Sequence, residues 1–582
     1  MALRVGNCSG FYGDRLSAMR EMLLAPTAPN LDVLTGDYLA ELTMLILGRD
    51  RMKDPGLGYA RTFVRQAEDC LGLALERGVK VVVNAGGLNP AGLADKVREV
   101  AAGLGLDPRI AHVEGDDLLD RADELGLADP ALGKPLTANA YLGAFGIAAA
   151  LAAGADVVVT GRVTDASLVV GPAIARFGWS RTSYDELAGA TVAGHVIECG
   201  TQATGGNFSG FVRARLPQDR RRLGFPLAEI DADGSSVITK HDGTGGVVTV
   251  DTVTAQLVYE IQGPAYLGPD VTTHLDTVRL AEDGPDRVRV SGVRGSAPPG
   301  QLKVCLNFLG GYRNSAELLV TGLDTDAKTE WVMDQLETAW GDRAPATVAW
   351  HSAPPPVRDA SAQELATTRL RCTVLDPSPD VAGKGFTAPL VELALASYPG
   401  FTLNGVPGPA SPYGVYRPAY VDRSAATEQV FLDGAPLPVA DTELRDGPPV
   451  VEDERRDGAP VVEEKPSDAP MPLGTFVHAR SGDKGGDANL GLWVAHDGSE
   501  AYDARVAWLL RLVTPDVVRA LVPEAQELDV EVHPLPNLGG VNVVLHGLLG
   551  EGVAASTRID PQAKALGEWV RSRHVGIPEE LL

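Results

Sequence analysis

The sequence predicts an α/β protein with a doubly wound, mostly parallel sheet, an α+β second lobe and a small C-terminal α/β sandwich. Three observations lead there. Short β-rich runs alternate with longer helical patterns through residues 1–230. An acidic, Pro- and Gly-rich stretch interrupts the apolar patterning at 441–470. Beyond it, residues 471–582 hold four strand-like runs and two helical patterns. The length of 582 residues suits three or four folding units.

In the first part, strands are expected at Leu3–Asn7, Leu31–Thr35, Val79–Asn84, Arg109–Glu114 and Asp156–Thr160. The run VKVVVN is almost wholly apolar, as a strand covered on both faces requires. A helix over Leu57–Arg77 places Tyr59, Phe63, Ala67, Cys70 and Ala74 on one stripe, with Gly78 closing it. Asn89 caps a second helix that has Pro90 at its first position and a stripe of Leu93, Val97, Val100 and Leu104. Strand–helix alternation of this kind argues for a doubly wound sheet.

Residues 231–440 read as an α+β lobe. QLKVCLNFLGG and NSAELLVTG are expected as paired strands, Asp324–Trp340 as a helix ended by Gly341, and Thr347–Trp350 and Arg369–Leu375 as further strands. At 441–470, RDGPPVVEDE recurs almost unchanged as RDGAPVVEEK, without helical period, and reads as a disordered tether. Residues 471–582 then offer strands LGTFVHAR, ANLGLWVA, ELDVEVHPL and VNVVLHG, with helices near Asp503–Leu512 and Pro561–Arg573. That inventory suits a ferredoxin-like fold.

Composition narrows the function. Asp plus Glu number 77 against 51 Lys plus Arg, a net charge of −26, and no basic block occurs. Nucleic acid and anionic membrane surfaces are therefore not expected as partners. The five cysteines are scattered without a CxxC pair, which argues against a disulfide framework or zinc ribbon. The start, MALRVGNCSGF, lacks a charged region followed by an apolar run, and no stretch reaches the ~20 apolar residues of a membrane span. A cytoplasmic location is expected.

Three polar, Gly-rich loops follow expected parallel strands, and such loops converge on one crevice in open α/β sheets. GNCSGFYGDR carries Gly10, Gly13, Asp14 and Arg15; NAGGLNP carries Asn84, Gly86, Gly87 and Asn89; TGRVTD carries Arg162 and Asp165. Backbone amides at Gly10–Gly13 suit a phosphate or carboxylate. The plainer reading makes these tight turns, with Asp14 and Asp165 as helix caps. A nicotinamide cofactor is not expected, because the first loop reads GxxxGxxG rather than GxGxxG. His195, Glu198 and Cys199 share a helix face with metal-ligand spacing, but no second ligand cluster accompanies them, so neither metal nor cofactor is expected. Lys240, in ITKHDGTGG, is placed either to reach an anion or to sit in an ordinary hairpin. Arg480, Ser481, Asp483 and Lys484 crowd a Gly-rich stretch that reads as a ligand loop or as a connection to the large domain.

GFYGDR, NAGGLNPAG, ANAYLGAFGIAAALAAGADVVVTGRVTDASL, HVIECGTQATGG and ITKHDGTGG resemble the large domain of the acyclic terpene utilization (AtuA) family. ARSGDKGGDANLGL resembles its small C-terminal domain. The first loop departs from the family pattern, with NCSGF in place of GAGF. The resemblance implies acyl-CoA catabolism, and no catalytic residue set comes with it. The expected function is an enzyme acting on a branched acyl-CoA or related carboxylate, by hydration or C–C lyase chemistry. Asp165 is the expected base, Arg162 and Arg15 the anion clamps, and Asn84 and Asn139 the groups that orient an oxygen. The alternative is a non-catalytic acyl-CoA-binding or assembly protein that partners a carboxylase. A homo-oligomer is expected in either case.

Overall fold

The computed structural model describes residues 1–25, 30–212, 221–439 and 469–582. The expected tether falls outside the described residues except at its last two positions.

Six strands organise the first part: β1 (Leu3–Asn7), β2 (Val33–Gly36), β3 (Lys80–Val83), β4 (Ile110–Glu114), β5 (Thr137–Ala140) and β6 (Val157–Thr160). With β7 (Pro226–Ile230) and β8 (Ser236–Lys240), all but β5 enter an 11-stranded sheet. Its centre runs β1-β2-β3-β6-β4, every pair parallel. Both edges are antiparallel. On one side lie β7, β8, Val288–Ser291 and Arg279–Glu282; on the other lie Gln429–Leu432 and Ala435–Leu437. The expectation of a mostly parallel sheet therefore describes the centre and not the whole. The edge strands are joined as hairpins, which connect only antiparallel neighbours.

Helices cover both faces, so apolar side chains on both sides of the central strands are buried. On one face α1 (Ala18–Leu24), α3 (Arg61–Glu76) and α4 (Pro90–Gly103) share a core with Leu34, Val81, Val83, Val157 and Val159. On the other, α5 (Phe145–Ala152), α6 (Ser167–Phe177) and α7 (Tyr184–Ile197) pack with Val5, Val33, Val82 and Val158. Each such valine contributes roughly 1.5–3 kcal/mol by leaving water. In α4, Asn89 accepts from the amide of Gly92 and Pro90 leads the helix. The apolar stripe ends at Val100, because Leu104 is the exposed C-cap. The remaining early helix, α2 (Glu41–Lys53), packs through Met44 and Leu47 against Tyr141 and Cys305.

QLKVCLNFLGG and NSAELLVTG do not pair with each other. They form one strand, Gln301–Thr321, which pairs with Ser411–Asp422, with Thr367–Asp376 and with β5. The Gly310–Gly311 step is a bulge in this strand, with the register shifting there and Gly311 at φ +127°. Glycine permits that backbone conformation, so a pair that reads as a turn serves instead as a bend.

Two connections fix where a crevice opens. The chain leaving β3 runs to β4, whereas the chain leaving β6 returns past β3 to β7 beside β1. The loops at the carboxyl ends of β3 and β6 thus lead away in opposite directions along the sheet, and such a divergence leaves room for a ligand.

Residues 477–545 form a four-stranded antiparallel sheet ordered Val477–Lys484, Asp487–Val494, Gly540–Leu545, Val530–Leu535. Helices Tyr502–Leu512, Pro515–Leu521 and Leu566–Ser572 pack on it. The Gly-rich stretch expected as a loop is a long hairpin. Arg480, Ser481, Asp483 and Lys484 lie on its first strand, and only Gly485–Gly486 turn. This domain docks on the segment that follows α8 (Val250–Leu257). The Glu260 amide donates to Asn489 at 2.8 Å, Asn489 donates onward to Asn542, and Trp493 Nε1 donates to Asp251 at 3.0 Å.

Candidate functional site

The docked domains enclose a cleft of about 1460 Å³. Its floor comes from the carboxyl end of the parallel strands, and its other wall carries Asp483, Lys484, His533, His546 and Lys564 of the C-terminal domain. Of the residues picked from the sequence, Gly10, Asp14, Arg162, Asp165, Glu198, Cys199, Asp483 and Lys484 line it.

The loop after β6 supplies the centre. Arg162 Nη1 donates to Asp165 Oδ1 at 3.1 Å and to the Leu39 carbonyl at 3.2 Å. Its guanidinium lies over the Tyr141 ring, 4.3 Å from the centroid. The backbone beneath is held as well, since the Arg162 amide donates to Asp116 at 2.9 Å and Asn139 Nδ2 donates to the same Asp116 oxygen at 2.7 Å. Asn139 therefore stands behind the cleft and supports its floor. The Asp165 carboxylate is bound to Arg162 and caps no helix, because α6 begins without a side-chain cap.

Asn84, at the end of β3, plays a similar supporting part. Its Nδ2 donates to Asp37 Oδ1 at 2.5 Å, and its own oxygen accepts from the Tyr38 amide at 2.7 Å. Asp37, which lines the cleft, is thereby locked in place. Gly86 packs against the neighbouring loop, where a Cβ would meet the Thr160 carbonyl at 2.4 Å. Gly87 turns beside Leu47, and Asn89 caps α4.

In the first loop, Asp14 accepts from the amides of Gly10 at 2.9 Å and Arg15 at 2.6 Å, so these amides serve the loop's own carboxylate. Gly10 abuts Gly200, and an added Cβ would stand 2.3 Å from its amide nitrogen. Gly13 lies against the Phe11 ring outside the cleft lining. Arg15 also turns away, pairing with Glu21 at 3.0 Å and donating to the Leu223 carbonyl at 2.9 Å. Lys240 is buried in the sheet on Asp286 at 3.1 Å and the Thr244 carbonyl at 2.9 Å. Arg480 donates to Gln202 and covers the Tyr259 ring, joining the domains. Ser481 is internal to the C-terminal domain, on the Ala563 carbonyl at 2.6 Å.

The cleft also holds charged groups that the sequence did not single out: Glu41, Lys303, Glu260 and Lys564. Lys303 is the clearest case of a legible signal, the one cation in the strand run QLKVCLNF. Its ammonium faces the rings of Tyr141 at 5.2 Å and Tyr416 at 5.8 Å. Burial and neighbouring Lys484 lower its pKa, against the pull of Glu41. Burial works to raise Glu41, but Lys303, Arg162 and Lys484 together outweigh it and bring Glu41 down to about 2. The carboxyls behind Arg162 behave oppositely. Burial, then Asp165, pushes Asp37 well above the ordinary carboxylate range, and burial raises Asp165 despite Arg162 and Lys484. One cleft thus joins a cationic side, Arg162–Lys303–Lys484, to carboxyls that burial shifts upward.

The family comparisons agree with this two-part architecture. The family described as acyclic terpene utilisation family protein AtuA matches residues 3–432. The chain belongs to the AtuA family. The AtuA ferredoxin-like domain matches residues 471–576, so both walls of the cleft fall within AtuA-type sequence. No curated protein matches the chain. Among the described residues, no group of three or more His, Cys, Asp or Glu side chains is placed to hold a metal ion, and no helix is long and apolar enough to cross a membrane.

Proposed function

We propose that this AtuA-family chain is an enzyme of acyclic terpene utilisation, acting by acid–base chemistry on a branched acyl-CoA or a related carboxylate. One observation carries the reading: Asp165 faces the same cleft as three cations, Arg162, Lys303 and Lys484. Hydration and C–C cleavage of acyl thioesters both need a base near the reacting carbon and cationic donors for the oxygen that gains charge. Asp165 is the base. Arg162 and Lys484 hold the oxygen or a carboxylate of the ligand. The cleft's volume exceeds the roughly 300–1,000 Å³ of common small-molecule sites, which suits a ligand as large as an acyl-CoA. Exposed apolar side chains at the lining, among them Phe11, Leu42 and Leu267, suit its hydrocarbon part.

The test is product formation by the purified chain. Branched α,β-unsaturated and β-hydroxy acyl-CoAs are supplied, and products are followed by mass spectrometry. A hydrated, dehydrated or cleaved product that is lost in Asp165→Asn supports the reading. Binding without any product leaves the carrier or assembly role expected as the alternative.

A further inference from the structure

Glu198 follows α7 as its C-cap and is only 7% exposed. One carboxyl oxygen, Oε1, lies 3.1 Å from His195 Nδ1. The other, Oε2, is buried without a hydrogen-bond partner, and the residue lines the cleft. A buried polar atom left unpaired is costly, and a ligand that hydrogen-bonds to it removes that cost. His195 is buried too, with its ring against Tyr266 at a centroid distance of 5.2 Å. The imidazole is thereby fixed, and it fixes the carboxyl.

The surroundings of Glu198 differ from those of Asp165. Burial first, then the negative charges of Asp165 and Glu260, raise Glu198 well above the ordinary carboxylate range; Lys484 and Arg162 act against this. Burial and Lys484 hold His195 down at about 4, so the ring is neutral. Asp165 touches Arg162 directly and is the carboxyl better suited to ionise. Two carboxyls in one site whose environments differ in this sense divide into an acid and a base.

We propose that Glu198 is a second catalytic residue of this cleft, the proton donor that complements the Asp165 base, with His195 as its positioning residue. The assignment rests on the acid–base reading above and extends it. In hydration of an α,β-unsaturated thioester, an O–H bond of water breaks and its proton passes to Asp165. The oxygen bonds to the β carbon, the C=C electron pair moves to the α carbon, and that carbon takes the proton of Glu198. One proton exchanged through solvent restores both carboxyls. Dehydration runs the same steps in reverse.

The test uses the full chain, its Glu198→Gln, Glu198→Asp and His195→Gln variants, and a branched α,β-unsaturated acyl-CoA with its β-hydroxy counterpart. Glu198→Gln is expected to lose turnover by about 100-fold or more while the Kd for a saturated acyl-CoA stays within about twofold. The wild-type rate falls on the alkaline side as Glu198 ionises; that limb vanishes in Glu198→Gln and shifts in His195→Gln. Glu198→Asp, which keeps a carboxyl, restores a measurable rate and the limb. Wild-type rate with an intact alkaline limb in Glu198→Gln overturns the assignment, as do folded Gln and Asp variants of equal rate. Absence of turnover in the wild-type chain overturns the acid–base reading itself, and the role of Glu198 with it.

Discussion

Arg162 Nη1 and Asp165 Oδ1 meet at 3.1 Å, with the arginine side chain 3% exposed and the aspartate 27%. The pair is asymmetric. Arg162 is enclosed by Tyr141, the Leu39 carbonyl and, through its amide, Asp116. Asp165 lines the cleft with its exposed part, while Arg162 holds it from behind. Rigid support behind one reactive group is what a positioned base requires.

Asp165→Asn is expected to fold normally and lose turnover. The amide oxygen still accepts from Arg162, so the stability cost is on the order of 1 kcal/mol. The rate falls by about 100-fold or more. Thermal melts alongside rate measurements check both, and a variant that keeps its rate removes Asp165 from the chemistry.

Arg162→Ala should weaken binding of an anionic ligand by about tenfold or more. It also leaves buried carboxyls without their cation, at about 3 kcal/mol of stability. Calorimetric titration with an acyl-CoA and denaturant unfolding read the two effects separately. Arg162→Lys, which retains the charge, should recover part of the binding.

Lys240→Met is the contrasting case. The buried ammonium pairs with Asp286, in the turn between two edge strands, outside the cleft lining. Stability should fall by no more than about 1 kcal/mol, because Asp286 is partly exposed and still accepts from the Val248 amide, with ligand affinity unchanged. A changed Kd would place Lys240 within reach of the ligand after all.

His546, on the C-terminal wall of the cleft, links stability to pH. Its hydrogen bond to Asp487 raises it from 6.5 to about 9, with burial working against the shift and Glu531 adding to it. A raised folded-state pKa means the contribution is fully present below about 6.5 and is lost as pH rises through about 9. Melting temperatures of the wild type and His546→Gln should therefore differ at neutral pH and converge above that range. A constant difference at high pH refutes the ion-pair explanation.

Much of this molecule is legible in the chain. The five parallel strands, α3, α4 and the Asn89 cap follow from apolar runs, helical stripes and capping residues, all of which act over a few neighbouring positions. The motif strings from GFYGDR to ARSGDKGGDANLGL carry the family, and the loop after β6 brings Arg162 and Asp165 to the end of a buried strand. Which charged groups share the cleft depended on the tertiary structure. Lys484 and Lys564 enter the cleft only because the C-terminal domain docks behind α8. Lys303 enters because a strand bent at Gly310–Gly311 pairs with β5. Arg15 and Lys240 match the same local signals but find Glu21 and Asp286 instead. Local patterning determines whether a residue lies on a strand, helix or loop; the docking of segments far apart in sequence decides what its charge meets.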